Sequence, residues 1–314
     1  MSSALKRKRV RVVYLGGIPL SEPSTPQYIN DMLSQFLELQ LVADVEVRII
    51  DNLAGADITW SMVGEAARDI AAHYDEFDGF VIMHGLDNVL YSANLVTFMF
   101  HRLTKPIVFT GMAHNESTTQ TTDQVVYPII GLQTNLLTAV QLATMNCRGV
   151  ILAYGPHIVR AVRAVQHQGV IQPLDSIGEE EIARIQFGVQ LLPHAPERLS
   201  DSVEFWPEFS ETVRLVQFYP GFRLSESEAA QYSAIVAVGY EEQLVPTNLP
   251  LLETIPVVVL LSKPPIVPVP EGVIIMQGIT LPALLTKTMV AIRRTTDPVK
   301  LARALRRNDH DELL

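Results

Sequence analysis

Cysteine is nearly absent: Cys147 is the single one in 314 residues. That excludes an internal disulfide framework and any multi-cysteine metal site, and it fits the cytoplasm or another reducing intracellular compartment. Long apolar runs are missing too. None approaches the roughly 20 residues that a membrane-spanning helix needs, so no membrane span is expected. The first apolar stretch is short and broken by Gly16 and Gly17, so no secretory core follows the basic head. The tail "HDELL" carries one residue too many for a clean ER-retention signal. Positive charge is also scarce, with a formal net charge of −10. A chain of that sign lacks the cationic surface that nucleic-acid binding requires, except at Lys6, Arg7, Lys8, Arg9 and Arg11. That head reads as a solvated arm before the first strand, or as a segment for an anionic surface.

What is present is the composition of a folded protein: 48% hydrophobic and 18% charged residues, in a chain long enough for two domains. Short β-branched runs alternate with amphipathic ones, the pattern of a parallel sheet covered by helices. "VRVVYL", "VEVRII", "GFVIMH", "KPIVFTG" and "GVILAYG" predict the strands of a first domain. Ile29, Met32, Leu33, Phe36 and Leu37 recur at helical spacing and predict one helix over 27–40. A second helix is predicted from Trp60, with Val63, Ala67, Ile70, Ala71 and Tyr74 on one face and Asp57 or Thr59 as cap. An irregular stretch puts a boundary near 195–210. Beyond it "VRLVQFY", "AIVAVGY", "IPVVVLLS" and "GVIIMQG" predict four further strands, with helices at about 282–292 and 297–306. The expected fold is α/β: a doubly wound parallel-sheet domain over 1–200 and a smaller α/β domain over 201–314.

Ligands of such sheets bind beyond the carboxyl ends of the strands. "LGGIPL", "DNLAG", "HGLDN" and "TGMAHNESTTQTTD" leave four predicted strands and should meet at one rim. The glycine turn lacks the third glycine of a dinucleotide fingerprint, and no Walker-type lysine follows it. His84, Asp87, His114 and Asp123 show no recognised metal-ligand spacing. No cofactor and no metal are therefore expected.

Together with "QGITLPALLTKTMVAI" near the end of the chain, these segments resemble the L-asparaginase family, including its glutaminase and tRNA-amidotransferase relatives. Leu15-Gly16-Gly17-Ile18-Pro19 stands where the family has T-G-G-T-I. "DGFVIMHGLDN", Asp78 to Asn88, follows the family's D-G-F-V-x-x-H-G-T-D-T apart from Leu86 and the last residue. "DNLAGADITW" keeps the spacing of the D-S…W stretch, and "KPIVFTG" resembles K-P-V-V-x-x-G.

The resemblance also shows what has changed. In the family one threonine attacks the side-chain amide and a second positions or activates water, assisted by an aspartate and a lysine. The threonines map to Leu15 and Leu86, the lysine to Gln166, and the serine that binds the substrate carboxylate to Asn52. Asp87 keeps the aspartate, and Tyr28 corresponds to the tyrosine of the mobile loop. Acyl transfer needs an oxygen or sulfur nucleophile beside a base, and leucine supplies neither. Gly85 completes the vestigial pocket. Ser21, Ser24, Thr25, Ser117, Thr118 and Thr119 are substitute hydroxyls or ordinary loop residues, and His114 with Glu116 is an acid/base pair or solvated loop. His84 reads as scaffold more than base. Arg160 and Arg163 read as a solvated face or an anion site. Asp87 either holds the amine of a small ligand or caps a helix starting near Val89.

The expectation is an asparaginase-like protein without intact catalytic residues. It would act as a binding or structural subunit, in a homo-oligomer or a larger assembly, with a small amine or amino acid as candidate ligand. The alternative is an amidohydrolase with rewired residues.

Overall fold

The computed structural model describes residues 7–16, 26–53, 57–112, 126–166, 174–178, 181–223, 225–239, 255–263, 265, 268–269 and 272–314. The chain divides into two compact units between Phe205 and Trp206. In the first, chain order runs β1 (Arg9–Gly16), α1 (Pro26–Ser34), α2 (Leu37–Val42), β2 (Asp44–Leu53), α3 (Trp60–Ala72), β3 (Gly79–Met83), α4 (Val89–Met99), β4 (Phe100–His101), β5 (Pro106–Thr110), α5 (Val126–Thr144), β6 (Gly149–Tyr154) and β7 (His157–Arg160). A 3-10 turn at Ala161–Arg163 leads to β8 (Ala164–Gln166), β9 (Leu174–Ser176), β10 (Ala183–Ile185), β11 (Val189–Leu191) and β12 (Glu204–Phe205).

The main sheet has the order β2-β1-β3-β5-β6-β7. Its strands are parallel as far as β6, and β7 closes the edge antiparallel through the tight turn after Tyr154. Strands covered on both faces read as unbroken apolar runs, which is why β3 and β5 are buried at every position. Tyr14, Phe80, Phe109 and Leu15 are among the largest side chains fully inside, each worth about 1.5–3 kcal/mol of burial. The 27–40 run forms two helices rather than one. The chain tightens through Gln35 and Phe36, whose N–H groups bond to the Met32 and Leu33 carbonyls. Phe36 turns into the core, and Leu37, expected on the same face, is 66% exposed at the start of α2. Helix α3 starts where expected, with the Thr59 hydroxyl accepting from the Met62 N–H at 3.4 Å.

The basic head is divided: Arg7 and Lys8 are exposed, and Arg11 is buried inside the first strand. Lys8 pairs with Asp78 at 2.8 Å, and Arg9 lies beside Asp44 and Glu46. Arg11 is 5% exposed and forks onto Asp69 of α3 at 2.6 and 2.8 Å, with Glu46 as its second partner. Arg9 and Arg11 are thus matched by carboxylates of the fold, and Arg7 donates to the Ala43 carbonyl at 3.2 Å; Lys6 lies outside the described residues.

The second unit holds β13 (Val213–Gln217), α6 (Glu226–Ala229), β14 (Ala234–Val238), β15 (Val257–Leu260), β16 (Val273–Met276), α7 (Leu281–Ala291) and α8 (Pro298–Leu305). Its four strands pair in sequence order, all parallel. Leu301 and Leu305 bury one face of α8. The end of α8 is tied to α7 by Lys287, whose Nζ donates to the carbonyls of Leu305 at 2.7 Å and Arg307 at 2.5 Å and to Glu312 Oε1 at 2.5 Å. Glu312 is fully buried, and its other oxygen accepts from the His310 N–H at 2.9 Å.

Candidate functional site

Three neighbouring strands bring the predicted residues to one rim. Tyr14 of β1 sits in register with Met83 of β3, so the last residues of β1, Leu15 and Gly16, run beside the chain that follows β3 at His84, Gly85 and Leu86. On the other side the pairing of β1 with β2 slips between Tyr14 and Gly16. The slip makes room for Asn52, whose side-chain oxygen accepts from the Tyr14 hydroxyl at 2.7 Å. Gly16 has φ +122°, a backbone state that a side chain would strain. Leu15 is fully buried and Leu86 is 7% exposed.

The floor of the rim is a satisfied network. His84 is fully buried. Its Nδ1–H donates to the Gly85 carbonyl at 2.6 Å, and its Nε2 accepts from the Ser92 hydroxyl at 2.9 Å. Its own carbonyl accepts from the Tyr154 hydroxyl at 2.8 Å, and its N–H donates to the Thr110 carbonyl at 2.8 Å. Burial drives the His84 imidazole down to about 4 and holds it neutral, against the weaker pull of the Gly85 carbonyl and the Asp87 carboxylate. Asn135 of α5 locks the adjacent corner, donating to the Gly111 carbonyl at 2.8 Å and accepting from the Gly155 N–H at 3.0 Å. A β-carbon on Gly111 would come within 2.1 Å of the His84 carbonyl oxygen.

This geometry sorts the candidates. His84 and Ser92 form a serine–histidine pair, but both are buried, Ser92 at 3% exposure, so no substrate carbonyl reaches the oxygen. Asp87 is exposed in the turn after β3. It is not the helix cap: α4 does begin at Val89, and its N-cap position belongs to Asn88, held left-handed at φ 60°. Gln166 is exposed at the end of β8, outside the main sheet. The turn before β8 is tied to α4 by Asn94, whose amide donates to the Leu90 carbonyl at 2.7 Å and to the Ala161 carbonyl at 3.1 Å. Arg163 is buried, not on a solvated face. Tyr28 lies on the backbone of α1. Gly17, Ser21, Ser24, Thr25, His114, Glu116, Ser117, Thr118, Thr119 and Asp123 fall outside the described residues. Sequence reasoning missed Tyr14, Ser92, Asn135 and Tyr154. Only a polar group inside an otherwise apolar run marks such residues.

Among the described residues, no three His, Cys, Asp or Glu side chains gather where they could hold a metal ion. No described helix is long and apolar enough to cross a membrane.

Known proteins place this arrangement. The family model "Asparaginase, N-terminal" matches residues 9–196, more than half of the chain. A glutamyl-tRNA(Gln) amidotransferase subunit of Thermoplasma acidophilum is 28% identical over 231 residues, 70% of this chain and 52% of its own length. The L-asparaginase of Thermococcus kodakarensis is 27% identical over 204 residues, 63% of this chain and 58% of its own. The chain thus spans about half the length of these curated relatives. Among solved structures, the thermostable L-asparaginase from Thermococcus kodakarensis superimposes with a TM-score of 0.76 at 25% identity, over 98% of this chain and 99% of that one. L-asparaginase I from Vibrio cholerae gives the same TM-score at 22% identity, over 98% of this chain and 99% of its own, a likeness of fold alone. Family match, fold and rim sequence agree, and the chain belongs to the asparaginase family.

Proposed function

We propose that this family member has lost amide hydrolysis and serves as a binding or structural subunit, in a homo-oligomer or a larger assembly. One observation carries the reading: the two rim positions that correspond to the family's catalytic threonines hold buried leucines, Leu15 and Leu86. A methyl-ended side chain neither attacks a carbonyl nor shares a proton with a base. Among the described residues, the surrounding groups offer no replacement. Ser92 is sealed, His84 is spent on its own backbone, and the Asn52 oxygen is taken by Tyr14. Gln166 puts a neutral amide in the lysine's place. Asp87, exposed at this rim, is the group best suited to an ammonium, so a small amine or amino acid is the proposed ligand class. Support for the role in an assembly comes from the matched amidotransferase subunit, a component by name.

The test is ammonia release by purified protein from asparagine, glutamine and small amides. We expect none above the uncatalysed background. Turnover at rates typical of enzymes, roughly 1–10³ per second, would establish instead an amidohydrolase with rewired residues, the reading that the match to a named L-asparaginase favours.

A further inference from the structure

A second feature lies in the other unit and is independent of the rim. Between β16 and α8 runs a groove of about 730 Å³, lined by Val273 and Ile274 of the strand and by Val299, Ala302, Arg303 and Arg306 of the helix side. Strand β16 ends the sheet order, and among the described residues no strand pairs with its outer edge. The Met276 carbonyl points inward, accepting from the Leu261 N–H at 3.0 Å. Alternation along a strand then turns the N–H and C=O groups of Val273 and Ile275 outward.

Above this edge stands the cationic wall. Helix α8 buries Leu301 and Leu305, and the spacing of 299, 302, 303 and 306 puts those residues on another face. Arg307 is paired with Asp309 at 2.9 Å. Arg303 and Arg306 are exposed and make neither an ion pair nor a side-chain hydrogen bond among the described residues. In a chain of net charge −10, two unpaired guanidinium groups over an apolar floor and an open backbone edge are a directed combination.

We propose that this groove docks an acidic, extended segment of a partner protein. The segment adds a strand to the outer edge of β16, sets alternate apolar side chains against Val299 and Ala302, and places carboxylates on Arg303 and Arg306. Strand addition of this kind takes affinity from main-chain hydrogen bonds and selectivity from alternate side chains. Charge complementarity selects the occupant, because the chain's negative charge repels an acidic segment elsewhere. The apolar floor favours a peptide over a nucleic-acid backbone, and among the described residues no aromatic ring lines the groove for bases to stack on.

The experiment uses the full chain and a fluorescein-labelled peptide of alternating valine and glutamate, followed by fluorescence anisotropy at low salt. Saturable binding is expected, weakened about tenfold or more in Arg303→Glu with Arg306→Glu. Hydrogen exchange should slow at Val273 and Ile275 in the complex. A peptide N-methylated at alternate positions, which keeps its charge and loses edge hydrogen bonds, should bind at least about tenfold more weakly. Failure of the unmodified peptide to bind would overturn the proposal. So would equal binding by the charge-reversed protein, by the N-methylated peptide or by a single-stranded RNA.

Discussion

The rim of the first sheet and the groove beside β16 are opposites in one respect. At the rim the polar groups are turned on one another: Tyr14 on Asn52, His84 on Gly85 and Ser92, Tyr154 on the His84 carbonyl. At the groove two arginines and a strand edge are left open. Buried groups must be satisfied from inside, and once satisfied they are unavailable to a ligand. Groups left unsatisfied at a surface are available, at the expense of weak coupling to stability. The contrast separates the floor of the rim, which holds the fold together and leaves Asp87 exposed above it, from a groove whose polar groups face outward.

Restoring chemistry to the rim would break that contrast most sharply. We expect the parent's ammonia release to lie at least about 10⁴-fold below an intact relative. Leu15→Thr combined with Leu86→Thr and Gln166→Lys should release more ammonia from asparagine than the parent, in the same coupled assay. Turnover by the untouched chain would mean that the rim works without the two threonines.

Next in size is the wall of the groove, which stands on the Lys287 cage. Burial lowers the lysine's proton affinity, and Glu312 opposes that by holding its charge. Lys287→Met would strand a buried carboxylate and should lower stability by about 3–5 kcal/mol, and Glu312→Leu added to it should recover much of the loss. Denaturant melts of the two variants decide this; equal losses would remove the charge argument.

The rim has a pH signature of its own. His84 titrates near 4 when folded, against an ordinary 6.5. Below 6.5 the unfolded chain takes up a proton that the folded chain refuses. Its contribution is therefore complete above pH 6.5 and falls away as pH drops to 4, by about 3 kcal/mol. Thermal melts between these limits should show this slope in the parent and a flatter one in His84→Gln. The smallest effect belongs to the groove: Arg303→Glu with Arg306→Glu should change stability by no more than about 0.5 kcal/mol. A larger loss would make those arginines structural.

Most strands were legible because their two-sided burial writes continuous apolar runs, as in "GFVIMH" and "GVILAYG". The helix break at Gln35–Phe36 was not, since a phenylalanine turned inward at a tight turn keeps the spacing of a continuous helix. Edge strand β7 and the short antiparallel pairs β8–β9 and β10–β11 were missed because each strand is three or four residues long, below any periodicity. Arg11 misled for another reason. An arginine in a basic cluster looks solvated until Glu46 and Asp69 are brought against it from 35 and 58 residues away. At the rim, Leu15 and Leu86 were readable through the family's motif, but the seal around His84 needed Ser92 and Tyr154 in place.

Gly111 divides the rim into what can be rewritten and what cannot. Any side chain there would drive into the backbone oxygen of His84, 2.1 Å from its first carbon, and displace the corner that Asn135 and Tyr154 secure. Positions 15 and 86 make no such demand on the main chain; exchanging them alters packing by a few kcal/mol and leaves the path of β1 and β3 alone. Engineering at this rim therefore has a narrow channel: side chains at positions 15 and 86 can be exchanged, and the glycine beneath them cannot. For a designer this is a chassis whose working residues are interchangeable inserts, with position 111 as the bolt that must not be touched.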